Sequence, residues 1–100
     1  MVMTPEAKVK EQVKALLAKY NAYQFMPVAN VFTRAGVPDI VACLNSTFVG
    51  IECKAGKNKC TKLQELELEK IQQAGGKTFV ARENNLGELE WILRNVSSSE

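Results

Sequence analysis

Apolar positions along the chain change their spacing several times, and each change marks an element. Glu6, Val9, Val13, Leu16, Leu17 and Tyr20 recur at helical intervals, so residues 5–20 read as one amphipathic helix. Thr4 suits its N-cap and Pro5 its first position. VANVFT (28–33) has strand composition, and residues 34–38 form a loop in which Gly36 permits unusual dihedrals and Pro38 fixes the approach to Asp39. IVACL (40–44) and TFVGIEC (47–53) are strand-like runs on either side of Asn45-Ser46, a two-residue polar turn. A second loop covers 55–60. Thr61-x-x-Gln64 then matches a capping box opening a helix to about residue 74, with Leu63, Leu66, Ile71 and Ala74 as its apolar stripe and Gly75-Gly76 as its end. KTFVAR (77–82) is a strand reached through that helix, which predicts a right-handed parallel β-α-β unit. Glu88 to Arg94, with Trp91, Ile92 and Leu93, suggests a short closing helix, and residues 95–100 a frayed tail. The order is αβββαβ with a final α: an α/β chain of one domain (1–100, core about 4–94) with a mixed sheet flanked by helices.

The two-residue turn sets a register. If Asn45-Ser46 is the turn, Leu44 pairs with Thr47 and, counting outward, Asp39 faces Glu52. Directly opposite residues have Cβ atoms roughly 4.5–5.5 Å apart. Alternation puts Glu52 and Lys54 on one face and sends Ile40, Ala42, Leu44, Val49, Ile51 and Cys53 to the other, the core. Two facing carboxylates repel unless a cation joins them. Mg²⁺, with Mn²⁺ as a substitute, wants oxygen ligands and takes one or two carboxylates together with substrate phosphate oxygens. Lys54, one alternation further, would position or help deprotonate an attacking water, or neutralise charge at phosphorus. The plain alternative is a surface hairpin with a solvated acid pair. Gly36-Val37-Pro38 directly before Asp39 weighs against it.

Composition narrows the class without naming a function. The 100 residues are 46% hydrophobic and 24% charged, ordinary for a globular protein. No apolar run approaches a membrane span and no signal-peptide pattern is visible. The three cysteines form no CxxC and the chain has no histidine, which argues against a zinc site. An odd cysteine count points to a reducing cytoplasm. Net charge is only +2, so its distribution matters more. Lys54, Lys57, Lys59 and Lys62 follow the second site strand and Arg34 precedes the first, where they would grip DNA phosphates. A solvated lysine loop is the alternative. No base-reading motif is present, so DNA shape should count for more than sequence.

Pro38-Asp39 followed, after a hairpin-length interval, by Glu52-Cys53-Lys54 resembles the PD-(D/E)xK nuclease superfamily. More narrowly, Thr4-Pro5-Glu6, Arg34-Ala35-Gly36-Val37-Pro38-Asp39, Ile51-Glu52-Cys53-Lys54 and Thr61-Lys62-Leu63-Gln64 before Ala74-Gly75-Gly76 resemble, in that order, a stand-alone VRR-NUC domain of the phage and bacterial type. The resemblance covers about residues 4–82. It implies a restriction-endonuclease-like core, metal binding by Asp39, Glu52 and the Cys53 backbone carbonyl, and Lys54 as the catalytic lysine. Glu6 matches the first-helix acid and Gln64 the glutamine after the ExK strand. Each also has a local explanation, Glu6 as a first-turn acid and Gln64 as the capping-box partner. Cys53 departs from the aliphatic residue or alanine of many relatives, but its side chain should point away from the site. The activity implied is Mg²⁺-dependent cleavage of branched DNA such as four-way (Holliday) junctions, in the cytoplasm of a bacterium or phage-infected cell. A two-fold dimer would match a junction's two equivalent strands, with Phe25, Met26, Phe32 and Trp91 as apolar candidates for contact or core. A nicking, flap or exonuclease of the same chemistry, and a non-catalytic DNA-binding subunit, are the alternatives.

Overall fold

A computed structural model describes residues 2–28 and 34–98. The elements are α1 (Pro5–Lys19), β1 (Tyr23–Phe25), β2 (Ile40–Leu44), β3 (Thr47–Cys53), α2 (Lys62–Gln73), β4 (Lys77–Ala81) and α3 (Leu86–Ser98). They form one mixed sheet in the order β1-β2-β3-β4, antiparallel except for the parallel β3–β4 pair. The element order and the parallel crossover through α2 are as expected, and the architecture is compatible with a restriction-endonuclease-like core. No described helix is long and apolar enough to cross a membrane.

The β2–β3 hairpin is the fold's centre. Asn45 (φ 47°) and Ser46 (φ 63°) are both left-handed, the type I′ geometry whose twist suits a two-residue hairpin. Leu44 pairs with Thr47, and the ladder runs out to Ile40 opposite Ile51. Ile40, Ala42, Leu44, Val49, Ile51 and Cys53 all enter the core, where they meet Val9, Val13 and Leu17 of α1 and Leu89, Leu93 and Val96 of α3. On the opposite face α2 crosses so closely that a Cβ added at Gly50 would stand 2.6 Å from Ile71 Cδ1.

The helix ends follow their sequence signals. Thr4 Oγ1 accepts from Ala7 N, capping α1. Thr61 and Gln64 form the reciprocal capping box of α2, at 2.8 Å and 3.2 Å. Gly75 is left-handed at φ 96°, with Gly76 N–H bonded to Ile71 O and Gly75 N–H to Gln72 O, a Schellman ending.

Three expectations need correction. The strand before the Gly36 loop is Tyr23–Phe25, which lies across β2; Val28 is not in a strand, and residues 29–33 lie outside those described. A left-handed Asn21 (φ 59°) ends the turn after α1 early enough for Tyr-Gln-Phe to pair. On α2, Leu63 and Leu66 are exposed, whereas Leu68 and the acid Glu67 are buried. Arg34 Nε at 3.0 Å and Lys70 Nζ at 3.3 Å make Glu67's burial tolerable, and Leu63 instead backs the loop at Gly36. Finally, the last helix continues to Ser98, because Val96 extends the buried stripe of Leu89 and Leu93 by another turn.

Glycine is the residue that type I′ turns favour at the second position. Ser46→Gly is therefore expected to raise unfolding stability by about 0.5–1 kcal/mol, measured by urea denaturation. A loss of stability would show that the turn geometry is not the one described.

Candidate active site

Asp39 and Glu52 meet where the hairpin ladder runs out. Asp39 precedes β2 by one residue, and continuing the Ile40–Ile51 register places it opposite Glu52. Its Oδ2 accepts the Cys53 backbone N–H at 2.9 Å, and Lys10 Nζ of α1 stands 4.0 Å from its Oδ1. Glu52 is only 2% exposed, and its Oε2 has no hydrogen-bond partner among the described residues. Burial is the first cause that lifts the Glu52 carboxyl to about 9. Asp39 adds to it, by a hydrogen bond that only a protonated partner can make and then by like charge, and Lys54 pulls the other way. A buried acid with an unpartnered oxygen beside a second acid is a site that demands a proton or a cation.

Lys54 continues β3 by one residue, tied to the sheet by its N–H on Ala81 O at 2.9 Å, and lies near enough for its charge to act on Glu52. The Cys53 thiol is fully buried in the core, and burial, with Asp39 next, pushes it up to about 12. Its backbone is what the site uses. Glu6 is half-buried in the first turn of α1, and its charge reaches both Glu52 and Cys53. Among the described residues no three His, Cys, Asp or Glu side chains converge into a metal-sized cluster. Gln64 is occupied by the capping box through its side-chain oxygen.

The surrounding cations divide. Arg34, expected on phosphate, has its Nε on Glu67 and so ties the loop before Asp39 to α2. Lys57, Lys59 and Lys62 are exposed. The loop bearing Lys57 and Lys59 is held in shape by Gly56 N–H on the Glu83 carboxylate and by Arg82 on Gly56 O at 3.0 Å, and Lys62 opens α2. Lys59 and Arg82 line an open concavity of about 570 Å³ with Cys60 and Glu65. Cys60 lies close enough to the site to feel the charges of Glu52 and Lys54. Two residues near the site escaped sequence reading, though each carried a signal. Lys10 is four residues after Glu6, hence on the same helix face. Arg82 follows Ala81, the parallel partner of Cys53, which sets it beside Lys54.

The raised Glu52 carboxyl gives stability a sign. The folded state holds a proton that the unfolded chain gives up at the ordinary value of 4.5, so Glu52's contribution is fully present below that pH. It declines as pH rises toward about 9. In EDTA the melting temperature should therefore fall between pH 5 and pH 9 more steeply for the wild type than for Glu52→Gln, followed by scanning fluorimetry. Parallel slopes for the two proteins would contradict the buried, protonated acid.

The family model for the archaeal Holliday junction resolvase (Hjc) matches residues 8–98. No curated protein matches the chain. The matched span takes in the whole described sheet, Lys10, Asp39, Glu52 and Lys54, and leaves out Glu6. The chain belongs to the archaeal Holliday junction resolvase family, a nuclease family of the PD-(D/E)xK type.

Proposed function

We propose that the chain is a Mg²⁺-dependent, structure-selective endonuclease that hydrolyses phosphodiester bonds in four-way DNA junctions. The observation that carries this reading is the buried Glu52, with an unpartnered oxygen, facing Asp39 and within the electrostatic reach of Lys54. The residues present fit a hard divalent ion. Asp39 and Glu52 offer carboxylate oxygens, and the Cys53 carbonyl leaves β3 on the same side as the N–H that reaches Asp39, as strand geometry requires. Mn²⁺ should substitute. When bound, such an ion supplies an activated water and charge stabilisation at the reacting phosphate. Lys54, on the same side of the sheet, orients that water or balances charge on the phosphate. Glu6 contributes field at Glu52, and Gln64 would contribute only by leaving its cap. Lys57, Lys59 and Lys62 hold the DNA backbone, and Arg34 serves mainly to fix the Asp39 loop. Placement among stand-alone VRR-NUC domains of phage or bacterial origin, acting in the cytoplasm, belongs to the same proposal and rests on the four ordered sequence segments.

The reading includes a homodimer. Tyr23, Cys43 and Phe48 are register neighbours on three adjacent strands, and all are exposed on the sheet face away from the core, with Phe25 beside them. Such an apolar row suits a self-complementary contact. Met26 and Trp91 are exposed as well, and Phe32 lies outside the described residues.

Cleavage of a labelled four-way junction in Mg²⁺ tests the chemistry. Wild type should cut, and Lys54→Ala and Asp39→Ala should each lose about 10²-fold or more in rate. Undiminished cutting by Lys54→Ala would sink the catalytic assignment, and equal cutting of linear duplex or flap substrates would sink junction selectivity. Binding without cutting in either Mg²⁺ or Mn²⁺ would indicate a non-catalytic subunit.

Light scattering tests the assembly. The chain mass is 11.1 kDa, so a dimer should give twice that value, reduced to one chain by Tyr23→Glu with Phe48→Glu. A wild-type mass of one chain would refute the dimer.

A further inference from the structure

α1 delivers a cation to the acid pair as well as an acid. Glu6 and Lys10 stand one turn apart on the helix face turned toward Asp39. Two other α1 lysines are paired elsewhere, Lys14 with Glu11 and Lys19 with Glu90, whereas Lys10 points its Nζ at Asp39 Oδ1. The 4.0 Å separation is beyond hydrogen-bond reach, so charge alone holds the pair. Both side chains keep access to solvent, at 36% and 25% exposure, and a pair of this kind is easily broken. Asp39 Oδ2 behaves differently, since the rigid Cys53 amide holds it at 2.9 Å. One oxygen of Asp39 is thus fixed by backbone and the other is balanced by a flexible side chain that can leave.

We propose that Lys10 is a positioning residue that exchanges partners: it balances Asp39 in the metal-free protein and turns to a DNA backbone phosphate once Asp39 has a divalent ion to balance it. A lysine suits this exchange, being a compact charge on a flexible four-carbon stem. The inference rests on the metal-dependent nuclease reading, and the two are tested separately.

The first measurement is calorimetric titration with Mn²⁺ alone, without DNA. Lys10→Met removes a like charge near the ion's ligand, so Mn²⁺ should bind about fivefold more tightly, the effect of one charge some 4 Å away in water. Lys14→Met should leave Mn²⁺ affinity unchanged, and Lys10→Arg should keep the wild-type value. The second is fluorescence anisotropy of a labelled four-way junction on a Lys54→Ala background, which prevents cutting. There Lys10→Met should weaken binding several-fold in Mg²⁺ and lower the slope of log affinity against log salt by about one. In EDTA, with Lys10 still engaged by Asp39, it should change neither. Unchanged or weaker Mn²⁺ binding overturns the proposal, as does equal weakening of junction binding with and without Mg²⁺. If Lys54→Ala with Lys10 intact shows no preference for the junction over linear duplex, the junction reading fails, and the Mn²⁺ shift alone decides whether Lys10 balances Asp39.

Discussion

Side chains on a strand alternate with a period of two, so sliding β2 by one residue against β3 would carry Asp39 off the face of Glu52. The same slip would turn Ile40, Ala42 and Leu44 of β2 away from α1 and α3, and an aliphatic side chain such as Ile40 or Leu44 is worth about 1.5–3 kcal/mol when buried. The hydrophobic core therefore holds the acid pair in register although neither acid belongs to it. The left-handed Asn45-Ser46 turn fixes one end of the ladder, and the Cys53 amide on Asp39 Oδ2 fixes the other. Lys54 inherits its place from this register, and Arg82 from the parallel pairing of β4 with β3.

Among the described residues two acids are buried, and their surroundings differ. Glu67 is met by Arg34 and Lys70, so its charge is compensated and it serves to tie the Gly36 loop to α2. Glu52 is buried more deeply, faces another acid, and leaves an oxygen unpartnered. An uncompensated buried charge is strongly destabilising, so Glu52 in these surroundings needs a proton or a cation. Burial first, and Asp39 next, raise its proton affinity. Perturbation of this kind, caused by burial and a specific charge partner, is typical of functional sites.

The central hairpin, its turn, its six core residues and the facing acids were all legible because a single count from Asn45-Ser46 generates them. Local chemistry likewise announced the caps at Thr4 and Thr61 and the Gly75 ending. What failed was what tertiary partners decide. Nothing in the sequence singles out Glu67, whose partner Arg34 lies thirty-three residues away along the chain. Leu63 and Leu66 read as a core stripe, but α2 lies on the sheet through Leu68 and Ile71. Tyr23–Phe25 is too short to stand out as a strand and depends on β2 for its pairing. Gln64 satisfied two readings at once, and the capping box accounts for its side chain.

Cations near an acid pair in sequence are not equally free to meet DNA. Arg34 is adjacent to the site along the chain, yet its Nε is engaged by Glu67. The loop bearing Lys57 and Lys59 is clamped through its backbone, by Glu83 on Gly56 N–H and Arg82 on Gly56 O, which leaves the lysine side chains exposed. Clamping the backbone while leaving charges outward lowers the ordering cost of association, since the loop need not be fixed again when a phosphate arrives. The clamp residues directly follow β4, the strand that pairs in parallel with β3, so the cationic loop is set relative to Lys54 by the same sheet that sets Glu52. Cationic loop and acid pair are thus two outputs of one strand order, and displacement of β4 should disturb both together.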